Sequence, residues 1–600
     1  MLNVADVSSS LQHFGIMDYF VFILMLVVCA VIGFYFGFIE KKKKKINVEQ
    51  RRGSEALDYL VGGRKMKVFP VSLSLVASFV SGISLLGTST EIYVYGTQYA
   101  FILITLIISG VISWYVFLPV FCNLQLTSTY EYFEMRFDKG IRLFGSVLFT
   151  IGTIVWLPIV VYVPALAFNQ VTGINIHIVT PIVCIVCIFY TCVGGLKAVV
   201  WTDVIQTVIM LGAILLVIIK GTIDVGGIGV VWQRNYDSGR IEAPVMTWDI
   251  TERTSAFAIF VGSTLYFVQV TAGNQVIMQR YLSVPSLKEA KLALIGFVAG
   301  VVLLTAACFY NGLLIFATYY DCDPLSTKLA KAKDQLVPLL VMDILGVYPG
   351  MAGIFVAGVF SAALSSLSTG LNSLSAVFLE DYIKPLRSTP LTELQTAVIM
   401  RASVLLTGVL CVALVFVVER LGTVLQLSMT LGSITCGPLL GLFFMGLLLP
   451  WINGKSALSG SIIAFVIMTW ICIKGQLAIA NNELVYAVKP VTTQGCSYQF
   501  EELLSTPANS TVLLEDSSHT FLQNIYHMSF LFYVAVGSML SIFWSGVASC
   551  VFGRNEPSKM DVALFAPCVR RFIKPAEYIS VQADERIVVM GFEQNDILKP

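Results

Sequence analysis

Apolar stretches of about 20 residues recur along nearly the whole of this 600-residue chain. A helix needs about 20 apolar residues to cross a hydrocarbon core about 30 Å thick, so each stretch predicts a membrane span. The composition agrees, because only 12% of the residues are charged, against about 25% in a soluble domain. The sequence therefore predicts an all-α polytopic membrane protein with about thirteen spans, at residues 17–39, 68–96, 99–121, 144–168, 176–193, 200–219, 254–278, 293–318, 351–379, 398–418, 424–449, 457–474 and 528–552.

The positions of lysine and arginine predict the orientation of these spans. The positive-inside rule places the run Lys41–Lys45 in the cytoplasm, so residues 1–16 are expected outside. Counting through the spans then places Arg136, Arg280 and the tail 553–600 inside as well. The net charge of +1 indicates no nucleic-acid surface.

The same count places the polar segment 475–527 outside the cell. This loop contains Asn509, followed by Ser510 and Thr511, which is an acceptor sequence for N-linked glycosylation. Cys322 and Cys496 are both expected outside, where a disulfide between them is possible.

Signatures of enzymes are missing from the sequence. The four histidines show no metal-ligand spacing, and Gly454-Lys455-Ser456 lacks the first glycine of a phosphate loop because Leu449 stands there. We therefore expect no enzyme activity, no cofactor and no metal other than Na⁺, with an ion gradient as the energy source.

One membrane-length segment, Gly353 to Phe378, carries seven hydroxyl side chains. Ser361, Ser365, Ser368 or Thr369, and Asn372 recur at helical spacing, so they share one face of the helix. Hydrocarbon offers these groups no hydrogen-bond partner, so the face must contact protein, water or an ion. The alternative is that the small residues only let neighbouring helices pack closely.

Two other spans contain interruptions. Gly82 stands among serines in the span 68–96, and Gly262 and Gly273 interrupt residues 260–275. A broken transmembrane helix exposes carbonyl groups, which together with hydroxyl groups would form an oxygen cage for Na⁺. The alternative is again that these glycines are packing contacts.

Asp203 is a carboxylate at the edge of a predicted span. An intramembrane carboxylate is costly unless it is paired, and therefore indicates a functional site. Alternatively, Asp203 or Thr202 caps the N-terminus of its helix.

Several segments resemble the sodium/solute symporter family, over roughly residues 17–550. The branch that holds sodium-coupled monocarboxylate, multivitamin and iodide transporters, including its insect members, is the most similar. The segments that resemble the whole family are DYLVGGRKM, FPVSLSLVASFVSG, YTCVGGLKAVVWTDVIQTVIM, NQVIMQRYLS and LSSLSTGLNSLSAVFLEDYIKP; those that resemble the branch are EIYVYG, PALAFNQVTG and GPLLGLFF.

The resemblance implies the five-plus-five inverted-repeat fold of the leucine transporter, with repeats at about 68–220 and 254–449. It also implies two Na⁺ positions, described below as the first and second sodium positions. Carried over by motif, the first comprises Ala77, Val80, Ala362, Ser365 and Ser366, and the second comprises Asp203, Ser368 and Thr369.

For the solute, similarity to the family suggests a pocket at Ser84, Tyr99, Trp156, Phe267 and Phe443. The expected function is Na⁺-coupled import of a small organic anion, either a monocarboxylate or a carboxylate vitamin, across the plasma membrane. An iodide symporter, a channel and a transport-dead solute sensor are the alternatives. Ser84 replaces a glutamine of the iodide member, which weakens the iodide alternative.

Overall fold

The computed structural model describes residues 3–4, 6–7, 14–40, 59–387, 389–419, 424–481, 483–500 and 521–573. Asn509 and the run Lys41–Lys45 lie outside these residues. The described residues form helices and no β-strand. The helices are α1 (Ile16–Phe34), α2 (Val68–Phe79), α3 (Gly82–Tyr95), α4 (Thr97–Leu124), α5 (Glu131–Arg136), α6 (Lys139–Thr172), α7 (Ile176–Val225), α8 (Ile228–Asp237), α9 (Ala258–Thr271), α10 (Gln275–Tyr281), α11 (Leu287–Thr318), α12 (Leu336–Leu345), α13 (Met351–Val377), α14 (Glu393–Val418), α15 (Val424–Leu448), α16 (Gly454–Ala480), α17 (Phe521–Tyr526), α18 (Phe530–Phe552) and α19 (Pro567–Arg570).

Ten helices in the described part of the chain are long and apolar enough to cross a membrane. The remaining predicted spans correspond to three irregular elements. The pair α2 and α3 forms one bent span, α7 contains two predicted spans joined at a bend, and α9 with α10 replaces the predicted span 254–278. The all-α polytopic prediction is therefore confirmed.

The first predicted interruption separates α2 from α3, which meet at an angle of 58°. Val80 and Ser81 adopt extended backbone angles between the two helices. Gly82 is the first residue of α3, and a Cβ atom there would lie 2.9 Å from the ring of Pro164 in α6. Gly82 thus allows the broken helix to approach α6. It is therefore both a packing contact and part of the interruption.

The second predicted interruption separates α9 from α10 at residues 272–274. Asn274 caps α10 by accepting a hydrogen bond from the backbone of Val276. Gly262 lies inside α9 instead, where a Cβ atom would be 2.4 Å from the carbonyl oxygen of Leu531. Gly262 is therefore a packing contact, whereas Gly273 belongs to the break.

Helix α7 positions Asp203. Its N-cap is Asn175, and the chain bends at Gly195, which has a φ of 60°. Asp203 lies well inside the helix after this bend, and Thr202 donates to the carbonyl of Val199. The capping explanation for Asp203 and Thr202 is therefore wrong.

Two loops are joined covalently. Cys322 follows α11 and Cys496 follows α16, and the structure links them by a disulfide. The possible pairing of these two cysteines is thus confirmed.

Some of the charges used to predict orientation are not in solvent. Arg136 and Arg280 are buried within the protein. Arg136 donates to the carbonyls of Gly446 and Leu449 and so satisfies the C-terminal end of α15. Burial does not contradict the cytoplasmic side predicted for these two arginines, which stays a prediction.

Candidate cation and solute site

Helix α13 carries the hydroxyl face and is buried along nearly its whole length. The hydroxyl oxygens of Ser361, Ser365 and Ser366 are buried and have no hydrogen-bond partner. A buried hydroxyl without a partner is costly, so such groups in a native protein indicate a missing water, ion or ligand. By contrast, Ser375 on the same helix donates to the carbonyl of Asn372.

The broken helix lies directly against this face. Ser78 of α2 and Thr369 of α13 share a hydrogen bond of 3.1 Å. Because α2 ends at Phe79, the carbonyls of its last turn lose their usual intrahelical donors. Ala77 and Val80, whose carbonyls are predicted ligands, are buried at this end, and Ala362 is buried on α13. The donor set of the first sodium position therefore fits a hard cation, which prefers oxygen ligands.

The second sodium position has a different environment. Asp203 is completely buried, and its Oδ2 atom accepts hydrogen bonds from Ser74 at 2.6 Å and from Arg280 at 3.1 Å. The hydroxyl of Ser368 donates to the carbonyl of Ser365. Thr369 Oγ1 accepts a hydrogen bond of 2.5 Å from the Arg280 guanidinium. A protein cation thus already contacts two of the three predicted ligands.

One oxygen of this carboxylate is still free of hydrogen bonds. Asp203 Oδ1 is buried and has no partner. The hydroxyl of Ser365, a predicted ligand of the first position, lies near the same carboxylate. The two predicted positions are therefore adjacent.

Arg280 is the residue of this site that the sequence analysis did not identify. Its position at the end of a predicted span led to its assignment as a cytoplasmic loop charge. The pairing with Asp203 spans 77 residues, so no local pattern reveals it. The available signal was that Asp203 and Arg280 are opposite charges, each at the edge of a membrane-length segment.

A cavity of about 180 Å³ adjoins the break between α2 and α3. Ser78 and Ser81 line it, so it borders the cation site. Four of the five predicted pocket residues, Ser84, Tyr99, Trp156 and Phe267, also line it. Further polar groups in the wall are Thr88, Gln269, Asn274, Thr305, Ser428 and Thr435.

Phe443, the fifth predicted pocket residue, is not in the cavity wall. It is fully buried and packs against Phe133, with ring centroids 4.6 Å apart, and against Phe117 and Phe121. The structure thus places Phe443 in an aromatic cluster and not beside the solute cavity. Gln269 is a wall residue that was not anticipated, and its buried Oε1 atom has no hydrogen-bond partner.

A second buried ion pair lies at the other end of α3. Arg253 donates two hydrogen bonds of 2.9 Å to the Glu91 carboxylate and one of 2.9 Å to Gln426 of α15. Burial alone would lower the pKa of Arg253, but the Glu91 carboxylate raises it above its ordinary value. Arg253 therefore ties α3 to α15 through Glu91 and Gln426.

Interrupted helices, unsatisfied buried oxygens and an adjoining cavity together define a membrane transporter whose ion and solute sites lie at broken spans. The chain belongs to the sodium:solute symporter family, whose family model matches residues 59–464. The resemblance seen in the sequence is thus confirmed, and so is the expectation that the protein is not an enzyme.

Three relatives are similar over nearly their whole length. Sodium-coupled monocarboxylate transporter 1 of Xenopus laevis is 37% identical over 583 residues, covering 93% of this chain and 91% of the relative. The putative sodium-dependent multivitamin transporter of Drosophila melanogaster is 34% identical, with coverage of 90% and 87%. The sodium/iodide cotransporter of Homo sapiens is 35% identical, with coverage of 92% and 86%.

The fold is also that of a solved transporter. A Na⁺-coupled sialic acid symporter in a substrate-bound, outward-open state matches with a TM-score of 0.71 and 23% identity, covering 91% of this chain and 100% of that chain. This likeness confirms the predicted five-plus-five repeat fold.

Proposed function

We propose that the protein is a Na⁺-coupled symporter that imports a small organic anion by alternating access. The observation that carries this proposal is the set of buried α13 hydroxyls without hydrogen-bond partners among the described residues, on a helix that is hydrogen-bonded to the cavity-lining Ser78. Such oxygens suit a desolvated cation that is bound, occluded and released. The names of the monocarboxylate and iodide relatives support an anionic solute.

For the ion, we propose that the first Na⁺ binds Ser365 and Ser366 together with the carbonyls of Ala77, Val80 and Ala362. The second sodium position, Asp203 with Ser368 and Thr369, is proposed for another Na⁺. Its use requires that the guanidinium of Arg280 moves, because Arg280 already contacts Asp203 and Thr369.

For the solute, the cavity wall gives two constraints. No lysine, arginine or histidine is among its lining residues in the described part of the chain. A carboxylate there would therefore be held by hydroxyl and amide donors, and Na⁺ would supply the positive charge. An anion without a counter-ion would be strongly disfavoured in this buried site.

The size of the cavity selects among organic anions. A cavity of about 150 Å³ accommodates benzene, and this one is about 180 Å³. Lactate, short-chain fatty acids and nicotinate, a single ring with one carboxylate, are of this size. Biotin and pantothenate have much longer chains, so we propose a small monocarboxylate as the substrate.

Two Na⁺ ions per monoanion would let the membrane potential drive uptake. Moving one charge through 100 mV is worth about 2.3 kcal/mol, and a tenfold gradient is worth about 1.4 kcal/mol. One Na⁺ with one monoanion moves no net charge. Two would therefore accumulate an anion that a negative cell interior otherwise repels.

For location, we propose the plasma membrane, with the N-terminus outside, the C-terminal tail inside and glycosylation at Asn509. Enzymatic removal of N-linked sugar should increase electrophoretic mobility, and Asn509→Gln should abolish that change. The disulfide between Cys322 and Cys496 supports an extracellular location for these loops, because disulfides persist in oxidising compartments.

The test is uptake by cells that express the chain, in sodium and in choline medium. The solutes are labelled lactate, nicotinate, biotin, pantothenate and iodide, and vector-only cells serve as the control. We expect saturable, sodium-dependent uptake of lactate or nicotinate and little uptake of biotin or pantothenate.

The other outcomes are equally informative. Iodide uptake without carboxylate uptake would overturn the organic-anion proposal. Non-saturating substrate currents would indicate a channel. A surface-expressed protein that transports none of these solutes in either medium would favour the solute sensor.

A further inference from the structure

Arg280 is completely buried and is held entirely by polar contacts. Its Nε atom donates to Ser74 at 2.6 Å, and its Nη1 atom donates to the carbonyl of Val276 at 3.0 Å. Its Nη2 atom reaches both Asp203 and Thr369. The guanidinium thus contacts two predicted ligands of the second sodium position, Asp203 and Thr369.

These contacts connect four helices. Arg280 belongs to α10, Ser74 to α2, Asp203 to α7 and Thr369 to α13. One residue earlier, Gln279 of α10 donates to the carbonyl of Leu60 and accepts a hydrogen bond from Ser373 of α13. The short helix α10 is therefore a junction at which hydrogen bonds join it to α2, α7 and α13.

We propose that Arg280 and Na⁺ compete for Asp203, so that sodium binding at the second position breaks the Arg280 contacts that join α10 to α7 and α13. This inference rests on the proposed function, because it assumes that Na⁺ reaches this site. Arg280 is a positioning residue here, since it acts through Asp203 and Thr369.

The charge balance carries the argument. One carboxylate neutralises one cation, and a guanidinium plus Na⁺ on Asp203 would leave an uncompensated positive charge in a fully buried site, which is strongly disfavoured. The guanidinium also takes Thr369 Oγ1, another predicted ligand. Simultaneous binding of Arg280 and Na⁺ to Asp203 is therefore disfavoured by charge.

The geometry also provides a route for the exchange. Asp203 Oδ1 has no partner while Oδ2 is bound by Ser74 and Arg280. An incoming Na⁺ can contact Oδ1 first and then draw the carboxylate away from Arg280. Loss of that contact frees α10 from α7. Sodium binding at Asp203 is thereby linked to movement of α10.

The experiment measures equilibrium binding of radioactive sodium to the purified full-length protein without any organic solute. Arg280→Gln removes the competing charge. The weaker of its two sodium sites should therefore bind Na⁺ at least about tenfold more tightly than the weaker site of the wild type. Arg280→Lys keeps the charge and should bind sodium as the wild type does. The double variant Asp203→Asn/Arg280→Gln removes both charges and should retain only the first sodium site.

A second readout follows the junction itself. Hydrogen exchange of residues 275–283 should rise when sodium is added to the wild type. In Arg280→Gln it should be high already without sodium, and in Arg280→Lys it should follow the wild type.

The results separate the two proposals. A wild type that binds no sodium would overturn the proposed function. Normal binding by the wild type, with no tighter site in Arg280→Gln or with sodium-independent exchange of α10, would overturn the competition alone. If Arg280→Gln does not fold, a sodium-independent exchange rate in the wild type still refutes it.

Discussion

The first and second sodium positions both use residues of helix α13, but their side-chain oxygens differ in whether they are hydrogen-bonded. In the described part of the chain, the hydroxyls of Ser365 and Ser366 are buried and have no hydrogen-bond partner within normal bonding geometry. Thr369 and one oxygen of Asp203 are bonded to Arg280, and Ser368 is bonded to its own helix. Two sites with similar oxygen chemistry thus differ in whether the protein has already satisfied them.

This difference separates two roles for buried oxygen. Hydroxyls without partners favour a cation from outside, because only an ion or water satisfies them. Oxygens bound by a guanidinium favour a closed junction between helices, since an arginine and a carboxylate stabilise each other when neither can reach water. In the proposed mechanism, a sodium ion therefore fills the first position but must replace a protein group at the second.

The largest expected effect comes from breaking the second position. Asp203→Asn leaves the buried guanidinium of Arg280 without its counter-charge, and loss of one partner of a buried ion pair costs about 3–5 kcal/mol. We expect the thermal unfolding temperature in choline medium to fall sharply. The double variant Asp203→Asn/Arg280→Gln should recover much of the loss, because no buried charge then lacks a partner.

An unchanged unfolding temperature in Asp203→Asn would show that Arg280 has another anionic partner or access to water. The first and second sodium positions would then not differ in whether a protein cation already occupies their oxygens.

The next effect comes from the first position. Ser366→Ala removes a proposed ligand of Na⁺, and a hydrogen bond or contact to a charged group contributes about 1.5–3 kcal/mol. The sodium concentration for half-maximal uptake should rise about 10- to 100-fold, with protein at the cell surface unchanged.

Ser375→Ala is the matched control, because Ser375 is equally buried on α13 but already bonds to Asn372. Its sodium requirement should stay that of the wild type. An equal rise in both variants would mean that packing of α13, and not ion binding, causes the effect.

The sequence predicted most of the fold because span length is a local property. A bilayer demands about 20 apolar residues wherever a helix crosses it, so the thirteen segments are visible one at a time. The two broken helices were visible for a similar reason, since glycine and serine interrupt an apolar run. The break itself falls at Val80 and Ser81, immediately before Gly82.

The site was only partly predictable because its electrostatics depend on tertiary contacts. Ser365, Ser366 and Asp203 stand out as polar groups in apolar segments. The partner of Asp203 does not, because an arginine at a span end looks like a loop charge until α10 is placed against α7. Phe443 shows the same limit, since only packing decides whether an aromatic residue faces a cavity or a cluster of other rings.

The smallest effect tests the comparison most closely. Ser368 is a predicted ligand of the second position, but its hydroxyl donates to the carbonyl of Ser365 at 3.0 Å. Because Ser368 must give up this hydrogen bond before it can bind Na⁺, we expect its net contribution to sodium binding to be only about 0.5 kcal/mol, the low end for a hydrogen bond. The sodium requirement should therefore change less than about threefold. A change as large as that of Ser366→Ala would mean that Ser368 turns toward the ion during transport, and the two positions would then be equally open to sodium once Arg280 has moved.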